Sequence, residues 1–228
     1  MKHLLSTIGW DLKLELRYQI VTITVIVTAL YIAIFQILPE GAEKVATALI
    51  FSDPAMLGFM FIGALLLFEK NAHTLKALAV SPLKPGIYIG AKVLSLSVIG
   101  LGASLIMAFA AHGFSFNWLL FCIGVLYASI IFTLVGFIGV VRVETLNQYI
   151  MIVPLALTPF LLPLLNLFEL TNSFWLFLIP SQAILLLMEG ATSSISVWEL
   201  LYGLFYPLPW IWIFYRWAEK AYRKYVLT

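Results

Sequence analysis

Few residues in this 228-residue sequence have the types and spacing that catalysis or metal binding requires. His3, His73 and His112 are far apart in the chain, and the single cysteine, Cys122, lies in an apolar run. The sequence has no His-Glu-x-x-His zinc motif and no Gly-x-Ser-x-Gly nucleophile motif. It also lacks the Gly-x-x-x-x-Gly-Lys-Ser/Thr loop that binds nucleotide phosphates. We therefore expect this chain to hold no catalytic residue, no metal and no cofactor of its own.

Ionisable side chains inside apolar segments would indicate a proton or ion path, because a charge at the bilayer centre costs at least about 2.5–3.5 kcal/mol. The nearest candidates, Asp53, Glu69 and Glu199, each lie near the end of a predicted apolar run. We expect the middles of these runs to carry no Asp, Glu, Lys or Arg, which favours an energy source outside the bilayer. An ion site built from the carbonyls of broken helices stays open as an alternative.

Uncharged polar residues and prolines within the apolar runs are candidates for lining a pathway. The hydroxyls could hydrogen-bond a largely apolar substrate, or they could bond a neighbouring helix or their own backbone. Each proline removes a helical hydrogen bond, so the proline-rich runs are either deformable spans or spans with static kinks. The candidate pathway and gating residues are Thr24, Thr28, Ser129, Thr133, Pro154, Pro159, Pro163 and Pro207.

The segment between the second and third apolar runs predicts a short amphipathic helix. Asn71 is a helix-capping residue type, Leu75 and Leu78 recur at helical spacing, and Ser81-Pro82 ends the pattern. The apolar ridge of this helix needs a partner, which could be the membrane surface or another protein.

The elements that position these residues are predicted to be transmembrane helices. Hydrophobic residues make up 63% of the chain and charged residues 11%, which is more apolar surface than one soluble core can bury. The composition and the apolar runs predict an all-α integral membrane fold. The six predicted spans are residues 20–38, 49–68, 88–111, 118–141, 149–168 and 198–215.

The apolar stretch from Thr171 to Met188 is too interrupted to be a seventh span. Pro180 and Ser181 divide it into two halves that are each too short to cross a bilayer. We predict a re-entrant or interfacial helical hairpin over residues 171–190, on the outer side of the membrane.

The distribution of positive charge predicts the orientation of the chain. Of the 13 Lys and Arg residues, all but Lys44 fall in the head, the second loop with the start of the third span, the fourth loop or the tail. Short loops rich in Lys and Arg stay cytoplasmic, which predicts an inner (plasma) membrane protein with both termini inside the cell. The head, residues 1–19, is predicted to be an amphipathic interfacial helix, with Asp11 on its polar side, or alternatively an ordinary solvated leader. Residues 216–228 would form a basic cytoplasmic tail.

The second loop resembles the intracellular-loop signature of type-2 ABC exporter permeases. His73 replaces the glycine that the family usually has at that position. Residues 179–190 resemble the outer hairpin of this family, the head resembles its connecting helix, and residues 50–70 resemble the branch labelled fluoroquinolone-export permease. The loop residues that carry the resemblance are Glu69, Lys70, Thr74, Leu75, Leu78, Ser81, Pro82, Leu83, Gly90 and Lys92.

The resemblance implies a permease subunit that exports a hydrophobic or amphipathic, drug- or lipid-like substrate. Its partners would be two copies of a separate ATPase subunit, which bind the ATP and Mg²⁺, and a second permease chain, identical or related. The net charge of +2 gives no reason to expect nucleic acid. The alternatives are an ATPase-independent carrier or lipid-translocating protein and, third, a membrane scaffold. The residues that would couple to the ATPase are Glu69, Lys70, His73, Thr74, Leu75, Leu78, Ser81 and Pro82.

Overall fold

The computed structural model describes residues 2–39, 41, 43–72, 74–75, 84–171 and 173–226. All regular elements in these ranges are helical, so the predicted all-α fold is confirmed for them. The helices of the first half are α1 (Lys2–Arg17), α2 (Ile20–Phe35), α3 (Glu43–Asn71), α4 (Pro85–His112) and α5 (Trp118–Val140). The second half contains α6 (Leu146–Leu161), α7 (Leu164–Leu167), a 3-10 helix (Phe174–Leu178), α8 (Pro180–Thr192), α9 (Val197–Phe205) and α10 (Pro207–Tyr225).

Four of the predicted spans are long, apolar helices in the described part of the chain. They are α3, α4, α5 and the stretch Val197–Tyr225, which α9 and α10 form together. Helix α2 reaches the length of a span only in combination with α1, and these two helices meet at an angle of 66°. Helix α6 is apolar but has only 16 residues, and a turn at Leu162 and Pro163 separates it from α7. Four of the six predicted spans are therefore supported, and the spans that correspond to α2 and α6 stay predictions.

Several helix boundaries differ from the apolar runs that predicted them. Helix α2 ends at Phe35, whereas α3 extends beyond its apolar run at both ends, from Glu43 to Asn71. Asn71 is thus the last residue of α3 rather than the cap of a separate helix. The predicted basic tail continues α10 as helix to Tyr225, because Glu219 pairs with Arg216 and Arg223 at helical spacing.

Helix α5 lies at the centre of the bundle and contacts α3, α4, α6, α8 and α10. Glycine permits its close approach to α3, since a Cβ atom on Gly136 would lie 3.0 Å from the Phe59 Cα atom. The Tyr149 hydroxyl of α6 donates a 2.6 Å hydrogen bond to the Phe59 carbonyl, and its ring occupies the space beside Gly63. These contacts bind α6 to the α3–α5 pair.

The segment after α7 consists of two helical pieces, as Pro180 predicted. The short 3-10 helix ends at Leu178, and α8 begins at Pro180 and is largely buried against α5. The hydroxyls of Tyr202 and Tyr206 hold the first piece by donating hydrogen bonds to the carbonyls of Phe177 and Leu178, at 2.6 and 2.8 Å.

The two ends of the bundle differ in charge. At one end, which we call the basic end, α1, the end of α3, the start of α4, the end of α5 and the end of α10 come together. Lys70 there binds the last carbonyls of α5, and the Arg142 guanidinium lies 5.7 Å from the centre of the Trp217 ring. At the opposite end, Lys44 forms an exposed ion pair with Glu169.

Candidate functional site

The predicted coupling loop, residues 72–84, leaves the bundle at the basic end, between α3 and α4. We call residues 69–75, where the loop joins α3, the loop root. Thr74 and Leu75 are helical; Thr74 is exposed, whereas Leu75 is buried in the hydrophobic core. His73, Leu78, Ser81 and Pro82 lie outside the described residues. The structure therefore shows how the loop is rooted in the bundle, and the predicted docking residues beyond Leu75 stay predictions.

A buried ion-pair network lies directly beneath the root of this loop. The Lys92 ammonium of α4 binds Glu69 of α3 at 2.7 Å and Asp11 of α1 at 3.1 Å. The Tyr88 hydroxyl donates to the second oxygen of Glu69. Lys92 is completely buried, so its charge is balanced by these carboxylates rather than by water. The network joins three helices that are distant in sequence.

Glu15 extends the network along α1. It lies one helical turn beyond Asp11, is fully buried, and accepts a 2.6 Å hydrogen bond from the Ser95 hydroxyl of α4. Burial raises the pKa of Glu15 to about 7 and also raises that of Asp11, although the nearby Lys92 ammonium opposes the rise at Asp11. We call Asp11, Glu15, Glu69, Tyr88, Lys92 and Ser95 the basic-end cluster.

Lys70, next to Glu69, and Tyr88 of the basic-end cluster make two further contacts, which reach α5 and α10. Lys70 donates hydrogen bonds to the carbonyls of Val140, Val141 and Val143, at 3.2, 3.0 and 2.7 Å, where the C-terminal end of α5 leaves carbonyls without helical partners. The Tyr88 ring packs against Tyr222 of α10 with ring centres 5.2 Å apart. A displacement of the loop root would therefore reach α1, α4, α5 and α10 together.

The roles of Glu69 and Lys70 in this structure are internal to the chain. Both were predicted as coupling residues on the resemblance alone, yet Glu69 is buried and Lys70 half-buried, with their polar atoms bound to other helices. They hold the loop root in place. Of the described coupling residues, Thr74 is the one whose side chain is exposed and available to a partner.

The prediction that α1 turns Asp11 toward solvent is wrong. The acidic face of α1, with Asp11 and Glu15, packs on α4, while Trp10 and Leu16 are exposed on other sides of the helix. The physical reason is the buried Lys92, which attracts both carboxylates and lies 81 residues from Asp11 in sequence. The four-residue spacing of two acids on one helix face was the available signal for a cation partner.

Asp53 lies deeper in its helix than its place near the end of the predicted second span suggests. Helix α3 begins at Glu43, so Asp53 lies well inside it, and the residue is only 2% exposed. The apolar run began later than the helix, and this made Asp53 look terminal.

The hydroxyl-bearing pathway candidates occupy two separate places. Thr24 and Thr28 are buried on α2 and line an apolar crevice of about 340 Å³ against α4. Ser129 and Thr133 are buried on α5, where they contact the α4 and α3 glycines Gly100 and Gly58. The structure thus does not bring the four hydroxyls to one site.

The proline candidates are likewise divided between two elements. Pro154 and Pro159 are exposed within α6, which stays helical, and the Thr158 hydroxyl donates to the Pro154 carbonyl at 2.6 Å. Pro163 is buried in the break between α6 and α7, and Pro207 is buried at the first turn of α10. These breaks are where the two helical stretches could bend.

Comparison with known proteins gives one consistent result over the whole chain. A family model described as the Fluoroquinolones export permease protein family matches residues 2–228. Curated fluoroquinolones export permease proteins from two strains of Mycobacterium tuberculosis are each 27% identical to this chain over 234 aligned positions. The alignments cover 100% of this chain and 98% of each relative.

Proposed function

The chain belongs to the Fluoroquinolones export permease protein family, and from this premise we propose that it is the transmembrane subunit of an exporter driven by a separate ATPase. In this proposal the basic end faces the cytoplasm and the coupling loop docks on the ATPase. A second permease chain, identical or related, would complete the translocation pathway. The membrane is the inner (plasma) membrane, with both chain termini in the cytoplasm.

The observation that best supports the proposal is that the residues on both sides of the coupling loop are buried and bound to other helices. Glu69 and Leu75, in the loop root, are held in the core, and Lys92, just after the loop, is held by Glu69 and Asp11. Separating a buried ammonium from its carboxylates costs several kcal/mol, so these helices should move as one unit. A push on the loop would then be transmitted to α1 and α4 rather than absorbed at the surface.

The proposed cargo is a hydrophobic or amphipathic molecule that enters from the cytoplasm or the inner leaflet. The relatives are named for export of fluoroquinolones, which are amphipathic drugs. The ATP and Mg²⁺ would be bound by the ATPase, two copies of which would act on the paired permeases. ATP-driven closure of the ATPases would switch the access of the pathway from one side to the other.

The decisive experiment is affinity purification of the tagged chain from its native membrane, followed by identification of any Walker-motif ATPase that accompanies it. The test variant is Thr74→Arg, since Thr74 is exposed and its replacement leaves the core intact, with Leu78→Asp as a second loop variant. Both should reduce ATPase recovery by at least about tenfold.

The matched control is Phe114→Asp, which places a new charge on the 92% exposed Phe114 in the turn at the opposite end. It should leave ATPase recovery unchanged. Purification of active transporter without any ATPase, or equal recovery with the loop variants and the wild type, would favour the ATPase-independent carrier instead.

A further inference from the structure

Asp53 is a buried carboxylate without a partner in the described part of the chain. It lies ten residues after Glu43, the first residue of α3, and therefore about 15 Å along the helix axis. Its Oδ2 atom is buried and accepts no hydrogen bond from any described residue. Asp11 and Glu15 at the basic end also have one such oxygen each, but their other oxygens accept from the Lys92 ammonium and the Ser95 hydroxyl, and no described residue does this for Asp53.

An unpaired carboxylate in an apolar bundle is expensive to keep. Buried charges are usually paired or neutralised, and an ionisable residue within the membrane usually marks a functional site. The lysines nearest to the core, Lys70 and Lys92, are already engaged at the basic end. Asp53 is therefore either kept neutral by a proton or paired with a positive group from outside the described chain.

One aromatic neighbour of Asp53 gives its surroundings a feature of sites that bind an organic ammonium group. Tyr31 of the neighbouring helix α2 lies within range of the Asp53 charge. The Tyr31 ring stacks on Phe35, with ring centres 6.4 Å apart. Aromatic faces and a carboxylate together attract an ammonium, since the ring quadrupole and the negative charge act in the same direction.

A cavity lies between this region and the opposite end of the bundle, although Asp53 itself does not line it. It has a volume of about 300 Å³ and is lined by Phe35, Ala46, His112 and Glu43, among others. Ala46 and Asp53 are seven residues apart, so they lie two turns apart on the same face of α3. Asp53 is thus aligned with the cavity, and Glu43 places a second carboxylate in its wall.

We propose that Asp53 binds the protonated amine of the exported substrate, and that the cavity with Glu43 is the amine's exit from the bundle. The inference rests on the proposed function, because it takes the opposite end as the outer side, and it deepens that function by naming amphipathic amines as the substrate class. Asp53 would hold the cationic group while the apolar crevices and span surfaces hold the rest of the molecule.

The test compares two fluorescent probes that differ in one charge. Monodansylcadaverine carries a primary amine that is protonated at neutral pH, and its N-acetyl derivative has no such charge. Binding of each is measured to the purified full-length permease in lipid nanodiscs, with empty nanodiscs subtracted. The wild type should bind the amine about tenfold more tightly than the acetylated probe, the value of one charge-assisted hydrogen bond.

Asp53→Asn should bind both probes equally, and Asp53→Glu should retain the preference for the amine. Glu199→Gln is the matched control, because Glu199 is a half-buried carboxylate in the capping box of α9 that glutamine can replace. A preference that survives Asp53→Asn, or a wild type without any preference, would overturn the proposal; the wild-type comparison alone suffices if the asparagine variant does not fold. The ATPase is absent from this measurement, so its result is independent of the loop variants that test the proposed function.

Discussion

Lys92 is the residue on which the basic-end cluster depends. Its ammonium is buried between Asp11 and Glu69, and replacing it with an apolar side chain would leave both carboxylates without their cation. Removal of one partner from a buried ion pair typically costs about 3–5 kcal/mol, because the remaining charge is uncompensated. We therefore expect Lys92→Met to lower the midpoint of thermal unfolding of the purified protein in detergent by many degrees.

The control for this prediction is the other lysine that pairs with a glutamate. Lys44 forms its ion pair with Glu169 at the surface, where water and salt screen the attraction. Lys44→Met should leave the unfolding midpoint within experimental error of the wild type. Equal midpoints for the two lysine variants would mean that the basic-end cluster contributes nothing to stability.

For single residues, the sequence identifies candidate positions more reliably than it identifies the residues that those positions contact in the fold. Glu69, Lys70 and Lys92 could be singled out from the loop pattern, but Asp11 could not be assigned to Lys92, 81 residues away, because pairing is a property of the fold. The depth of Asp53 within its helix was missed for a related reason. Hydropathy marks where apolar side chains are dense, whereas a helix can begin earlier on polar residues such as Glu43.

Helix α5 shows how packing at the level of elements depends on single atoms. A methyl group on Gly136 would lie 3.0 Å from both the Cα and the carbonyl oxygen of Phe59, and these backbone atoms cannot move aside without shifting α3. Overpacking of this kind costs about 1–3 kcal/mol. We expect Gly136→Ala to lower the midpoint of thermal unfolding.

Gly102 of α4 provides the matched substitution, since no atom lies within 4 Å of the position its Cβ would take. Alanine there should keep or slightly raise the unfolding midpoint, because glycine in a helix interior costs about 0.5–1 kcal/mol relative to alanine. A loss of stability at Gly102 as large as that at Gly136 would show that the α3–α5 contact is not what limits packing.

Helix boundaries could be predicted where a proline or a capping residue marks them, and could not be predicted elsewhere. The break at Pro180 and the start of α5 after Asn117, whose side chain accepts from the Leu120 amide, follow from proline and capping chemistry. The break at Pro163 was visible as a proline, but neither its separation of α7 from α6 nor the 66° bend between α1 and α2 was predicted. Such breaks depend on which neighbour the following residues pack against.

The whole molecule separates its charges in a way that the sequence already indicated. The described basic residues Lys70, Lys92 and Arg142 contact elements at one end, while Lys44 lies at the other with Glu169. The loop root, the cluster and the helical tail of α10 are therefore all at one end, which is the cytoplasmic end in the proposed function. Large apolar side chains are exposed along α2, α6 and α9, and they would face lipid or a second permease chain.

The orientation itself gives the last prediction, because the loop can be driven by ATP only if the basic end is cytoplasmic. The single cysteine, Cys122, can be replaced by alanine to give a background without thiols. In that background Thr74→Cys should react with a membrane-impermeant maleimide only in inverted vesicles, whereas Phe114→Cys should react in intact cells. The two positions are suitable because Thr74 is exposed at the loop root and Phe114 is 92% exposed in the turn between α4 and α5. The reverse pattern would place the coupling loop outside the cell, where no ATP-driven subunit could act on it, and the ATPase-independent carrier would then be the better account of the molecule.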